Sequence, residues 1–259
     1  IIQSPKTTKT YAHSELLTEA KELINDIAYR RGFGDVLAEG VQAADAKIGH
    51  EAGDWAMHVK GLEVSAYDCH AAPGMALAYG TSSVGAHHKD AWVISWEVQA
   101  NRGGYGEEKI DKVIEMQRLR GGVFESLTVC RFPNASLGFE LDWYKRFLRA
   151  ATGIEFTWNA LNEIGDRIWN LIRAFWIREY GSKWTLEMDV PPARWFKEPL
   201  TKGPLKGAKL DSVKYDTMLQ RYYQKRGWDE RGIPKKTTLK KLGLDDVAKQ
   251  LNKHAKLAE

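Results

Sequence analysis

Apolar residues recur at helical spacing along most of the chain. Leu16, Leu17, Ala20, Leu23, Ile24 and Ile27 lie on one stripe. They predict a helix from a cap at Ser14 to about Arg31, stopped by Gly32 and Gly34. Asp35 suits the cap of a second helix running to about Lys47, before Gly49. The stretch from Glu51 to Ala72 mixes glycine, aspartate and short apolar runs, and reads as loop with one short strand. Pro73 opens a short helix through Tyr79. The apolar run Ala91–Val98 fits helix or strand. Glu107–Leu119 is an amphipathic helix ended by Gly121-Gly122. Further helices are predicted over Asp142–Ala151, Thr157–Tyr180 and Asp211–Arg226, with a last one near Leu244–Lys253. In the second of these, Leu161, Ile164, Ile168, Leu171, Ile172 and Phe175 form one apolar stripe. Between them, Gly181–Ala208 carries Pro191, Pro192, Pro199 and Pro204 and reads as a long irregular connection. No internal repeat and no low-complexity tract interrupts the pattern.

Composition narrows this to a mainly α globular protein. The 259 residues fit one large or two smaller domains, and 43% hydrophobic with 28% charged residues supplies a sizeable core. The pattern divides into a helical middle domain over 1–120 and a helical C-terminal domain over 121–259. The net charge is +4, with lysines concentrated after Lys197. These sit among helix signals and read as a solvated face, so no nucleic-acid partner is expected. No run of 18 apolar residues and no signal peptide is visible, so no membrane span is expected. The chain begins at Ile1 rather than Met, which reads as a fragment or a processed product. Two cysteines, Cys69 and Cys130, make no disulfide framework and suit a reducing cytoplasm.

Four segments could carry chemistry. In Gly80-Thr-Ser-Ser-Val-Gly-Ala-His87-His88-Lys89, small residues allow close backbone approach, and two histidines follow that could transfer protons. A structural histidine at a helix start is the bland alternative. Tyr67-Asp68-Cys69-His70 offers metal-ligating types, but one segment rarely supplies a full zinc site. Glu125-Ser-Leu-Thr-Val-Cys130 ends in a lone cysteine, by itself most often a small buried hydrophobe. Gly103-Gly104-Tyr105-Gly106 precedes a helix but lacks the Lys-Ser/Thr of a P-loop, and reads as a loop.

Taken in order, these segments resemble the aldehyde ferredoxin oxidoreductase family. Gly34-Asp-Val-Leu-Ala-Glu-Gly40, Val59-Lys-Gly-Leu-Glu63 and Ala66-Tyr-Asp68 look like its middle domain. Leu77 to His88 is similar to its small-residue loop ending in an active-site histidine. Glu125–Cys130 is similar to its D-x-x-G-x-C motif, and Gly165-Asp-Arg-Ile-Trp-Asn-Leu171 to its late helix signature. Tyr222–Asp229, Gly232-Ile-Pro234 and Leu242-Gly-Leu244 resemble its ending.

The resemblance implies the helical C-terminal domains of that fold, without the N-terminal β-rich domain that helps hold a tungsten (or molybdenum) bis-pyranopterin. It implies an oxidoreductase that turns an aldehyde into a carboxylic acid with ferredoxin, or an electron-transfer subunit, as acceptor. Cys130 would be one ligand of a [4Fe-4S] cluster, the other three lying upstream. Glu125, Lys89 and Val129 would contact the pterin cofactor. His88, with His87 and Tyr67, would line the pocket of a small-molecule substrate. The missing N-terminal region of the same protein would complete both cofactor sites. The chain departs from the family pattern: Cys69-His70 replaces Pro-Arg, Val84 an Arg, His87 a Cys, Glu125 an Asp and Thr128 a Gly. Two rivals stay open. One is the tungsten subunit of a benzoyl-CoA-type ring reductase. The other is a non-catalytic helical fragment that only binds a partner.

Overall fold

The structure, a computed structural model, describes residues 13–259. Helices α1 (His13–Tyr29), α2 (Phe33–Leu37) and α3 (Val41–Ile48) come first. The hairpin β1 (His58–Val59) and β2 (Leu62–Glu63) follows. Then come α4 (Pro73–Gly80), α5 (Ile94–Ala100), α6 (Glu107–Leu119), α7 (Phe132–Leu137), α8 (Leu141–Thr152) and α9 (Trp158–Tyr180). The chain ends with α10 (Arg194–Lys197), α11 (Ser212–Arg226), α12 (Lys236–Lys241) and α13 (Asp245–Leu251). The fold is mainly α, and the antiparallel hairpin is the one sheet among the described residues. None of the described helices is long and apolar enough to cross a membrane.

Contacts divide the chain at Ala56–Met57 into two compact units. In the first, Ser14, expected as a cap, lies inside α1. The single helix expected over Asp35–Lys47 is two helices. Gly40 adopts a left-handed φ of 90° between them, which no helix can continue through.

The second unit is built around α4, every residue of which is buried. Its first turn leaves backbone N–H groups that need acceptors. Glu97 of α5 supplies them, accepting from Gly74 N at 2.7 Å and Met75 N at 2.8 Å. Lys109 of α6 pairs with the same carboxylate at 2.5 Å, with neither side chain exposed. A buried charge survives when it is paired and hydrogen-bonded, and this pair is both. Met75, Leu77 and Tyr79 pack with Ile110 and Val113 of α6 and Tyr215 and Tyr222 of α11. The Ala91–Val98 run resolves as helix from Ile94 onward.

The glycines at 121 and 122, read from the sequence as a helix stop, do not stop it. The helix runs on as a π-helical segment, Arg120–Glu125. The reason is tertiary. A Cβ on Gly122 would overlap the Leu161 carbonyl, and one on Gly165 would sit 2.7 Å from Arg118 O. The two backbones therefore touch where side chains would hold them apart. Arg118 forks onto Asp166 of α9 at 2.8 to 3.1 Å, and Trp169 Nε1 donates to Gln117 O at 2.7 Å. Helix α9 begins at Thr157, whose hydroxyl accepts from Ala160 N at 3.1 Å. Helices α7 and α12 go beyond the sequence expectation; Pro133 sits in the first turn of α7.

Candidate functional site

The small-residue loop after α4 folds around one carboxylate. Asp90, 2% exposed, accepts from Ser82 Oγ at 2.8 Å, Ser83 N at 2.8 Å and Ser83 Oγ at 2.7 Å. Its other oxygen lies 3.3 Å from His87 Nδ1 and 3.5 Å from the Arg120 guanidinium. Burial by itself raises a carboxyl pKa; the bonds from His87, Ser83 and Ser82 outweigh it and hold Asp90 below its ordinary value. Two serines in this loop are thus donors to a buried anion as well as small residues.

His88 points into a second network. Its Nδ1 lies 3.2 Å from Ser65 Oγ, which lies 2.7 Å from Tyr79 OH. Burial pushes the Tyr79 phenol up to about 12, so it stays protonated. The Tyr67 ring stands 5.4 Å from the His88 ring at 53°, and the His87 ring 5.8 Å away at 40°. Burial, then the charges of Arg131, His87 and Lys89, lower the His88 pKa. Its ring is therefore neutral near neutral pH and available to accept a proton. The three residues expected at the pocket, Tyr67, His87 and His88, do stand together. Lys89 is exposed.

His70 pairs with both oxygens of Asp68 at 2.9 Å. Cys69 is fully buried, and burial pushes its thiol well above the ordinary range. No group of three or more His, Cys, Asp or Glu side chains converges among the described residues.

The segment from the π-helical turn onward presents the other expected residues. Glu125 is exposed and ion-paired with Arg120. Thr128 takes a left-handed φ of 54°. Val129 and Cys130 are exposed. The Cys130 sulfur accepts from Phe132 N at 3.5 Å. That is the kind of N–H···S contact that supports a thiolate ligand and tunes a cluster. The thiol and the Glu125 carboxylate are thus both exposed, five residues apart along the chain.

Arg131 ties this segment to the histidine loop, and it escaped the sequence reading, as did Ser65, Asp90 and Arg120. Its guanidinium lies over the Trp92 ring, 5.2 Å from the centroid. Burial, then the charge of Arg120, lower its pKa, while Tyr67, Cys130 and Asp90 raise it. Its own charge acts on His88. Arg131 Nε and Trp92 Nε1 are both buried donors without a partner. The only sequence signal was an arginine following the cysteine directly.

Buried ion pairs form the floor under the loop. Lys60 Nζ meets Asp189 Oδ1 at 2.8 Å and the Gly80 carbonyl at 2.5 Å. Arg173 meets Asp189 Oδ2 at 2.7 Å, and Tyr223 OH donates to it at 2.6 Å. Lys60, Thr81, Ser82, Ser83 and Arg173 face a cavity of about 10 Å³, the size of one water.

Comparison with known proteins identifies the family of the chain. The description "aldehyde ferredoxin oxidoreductase, domains 2 & 3" matches residues 9–244. The chain is 36% identical over 226 residues to the tungsten-containing aldehyde ferredoxin oxidoreductase of Pyrococcus furiosus, covering 85% of this chain and 36% of that protein. It is 37% identical over 229 residues to the Pyrococcus horikoshii protein of the same description, covering 86% of this chain and 36% of that protein. The chain thus spans a little over a third of the length of these relatives. In fold it is similar to the active-site complex BamBC of benzoyl coenzyme A reductase in complex with 1,5 dienoyl-CoA. That match has a TM-score of 0.61 and 23% identity, over 89% of this chain and 39% of that one. A match over most of its length to domains 2 and 3 shows that the chain belongs to the aldehyde ferredoxin oxidoreductase family.

Proposed function

We propose that this chain is the C-terminal part of an oxidoreductase that converts an aldehyde to a carboxylic acid and passes the electrons to a ferredoxin or an electron-transfer subunit in the cytoplasm. The observation that carries the reading is the convergence of two segments far apart in sequence. Arg120 meets both Asp90 of the histidine loop and Glu125 of the segment that leads to Cys130, and His88 has Tyr67 and His87 as neighbours. The histidine pocket is thereby tied to the segment that carries a free thiol.

When bound, a tungsten (or molybdenum) bis-pyranopterin would supply two-electron chemistry, with a [4Fe-4S] cluster as the one-electron outlet. Cys130 would hold one corner of the cluster, and residues outside this chain the rest. Glu125 would accept N–H donors of the pterin once released from Arg120. Lys89 and Val129 would lie against the cofactor. His88, neutral at working pH, would take a proton from the reacting centre, with Tyr67 orienting the substrate oxygen. Trp92 and Arg131 would wall the pocket.

The test uses the full-length protein. Tungsten or molybdenum and iron should co-purify with it. Acetaldehyde should reduce a viologen acceptor, and Cys130→Ala should lose or alter the cluster's electron paramagnetic resonance signal. Absence of both metals, or turnover of benzoyl-CoA with none of any aldehyde, would overturn the reading.

A further inference from the structure

We infer that Asp90 is a positioning residue that fixes His87 with Nδ1–H turned inward and Nε2 outward, making the His87–Asp90 pair a second proton carrier beside His88. The inference rests on the oxidoreductase reading above and adds a residue and a route to it.

The argument starts from what Asp90 can do. As a carboxylate it only accepts hydrogen bonds. Three of its bonds come from Ser82 Oγ, Ser83 Oγ and Ser83 N, so the group is locked in place. A ring nitrogen 3.3 Å from such an acceptor carries the hydrogen. His87 is thus held in one tautomer, with the lone pair of Nε2 on the far side of the ring. This is the arrangement in which a carboxylate orients an imidazole.

His88 is anchored differently. Its Nδ1 faces the Ser65 hydroxyl, which either donates or accepts. Ser65 therefore accommodates either ring form and imposes no direction. One imidazole has a fixed tautomer and the other a reversible one, with ring centroids 5.8 Å apart. The charged groups facing them are Asp90, Lys89, Arg120 and Arg131. Three of these four are cations, and Asp90, bonded to His87, is the one counter-charge among them.

The stoichiometry calls for two carriers. Oxidation of an aldehyde with one water breaks the aldehyde C–H and a water O–H bond and forms a C–O bond. It yields the acid, two protons and two electrons. The electrons go singly to an acceptor of the iron–sulfur class. His88 takes one proton and His87 Nε2 the other. The 25% exposure of the His87 side chain gives that proton a way to solvent.

The experiment uses the full-length holoenzyme with Asp90→Asn and His87→Asn. Asp90→Asn should lower kcat roughly 10- to 100-fold with KM for acetaldehyde within about twofold, and enlarge the solvent deuterium effect on kcat. His87→Asn, which leaves the serine–aspartate network intact, should do the same and keeps the test open if Asp90→Asn fails to fold. Histidine-selective ¹⁵N spectra should show one imidazole as pure Nδ1–H in wild type and a tautomer mixture in Asp90→Asn. Unchanged kcat and solvent effect in His87→Asn, or an unchanged tautomer in Asp90→Asn, would overturn the inference. If the wild type turns over no aldehyde, the function reading fails, while the spectra still decide whether Asp90 orients His87.

Discussion

The Lys60 ammonium lies 2.8 Å from Asp189 Oδ1, with the two side chains 1% and 0% exposed. Arg173 occupies the other oxygen of the same carboxylate. Two buried cations thus share one anion directly beneath the histidine loop. Burial pushes the Lys60 pKa down and Asp189 pulls it back. Replacing Asp189 by Asn leaves both cations without a counter-charge. The variant should unfold at lower urea, with a loss of about 3–5 kcal/mol. A loss under about 1 kcal/mol would show that the ion cluster does not hold the floor.

His88 sits below its ordinary value of 6.5 because burial and the Arg131 charge disfavour the imidazolium. For a base with a depressed folded pKa, the neutral ring is the folded state's preference. Its contribution to stability is full above 6.5 and is lost as pH falls through the lowered pKa. Histidine NMR titration should show Arg131→Met moving His88 back toward 6.5. The acid limb of the rate profile should move up by the same amount. A titration indistinguishable from wild type would remove Arg131 from the electrostatics of the pocket.

These residues also mark what was legible in the sequence. The resemblance carried by the ordered motifs singled out Tyr67, His87, His88, Glu125 and Cys130 as candidates, and apolar periodicity gave most helices. Asp90 was hidden because its importance comes from Ser82 and Ser83 turning back on it, which depends on loop closure. Arg131 was hidden because a surface arginine and a half-buried one over Trp92 look identical in a sequence. Gly121-Gly122 misled for a related reason. Two glycines stop most helices, and only the facing Gly165 explains why this one continues.

Thr128 holds a left-handed φ of 54°, where a β-branched residue is strained and glycine is not. Thr128→Gly should stabilise the unfolding equilibrium by about 1 kcal/mol. It should leave the His88 titration unchanged. A destabilised variant would mean that the Thr128 hydroxyl, 2.7 Å from the Leu127 carbonyl, matters more than the backbone strain.

At Gly165, a methyl group would press on the Arg118 backbone. Gly165→Ala should cost about 1–3 kcal/mol by forcing α6 and α9 apart, measurable in thermal or denaturant unfolding. A neutral result would mean that the π-helical segment can slide to make room.

That last contact reaches further than stability. The segment carrying Glu125 and Cys130 leaves the body of the protein straight from the π-helical turn, and the turn rests on α9 through bare backbone. The position of the thiol is therefore written in the interior, at Gly122 and Gly165, and not on the surface where it emerges. Exposed side chains such as Leu137 are open to change without moving the thiol; the glycines that aim the segment are not.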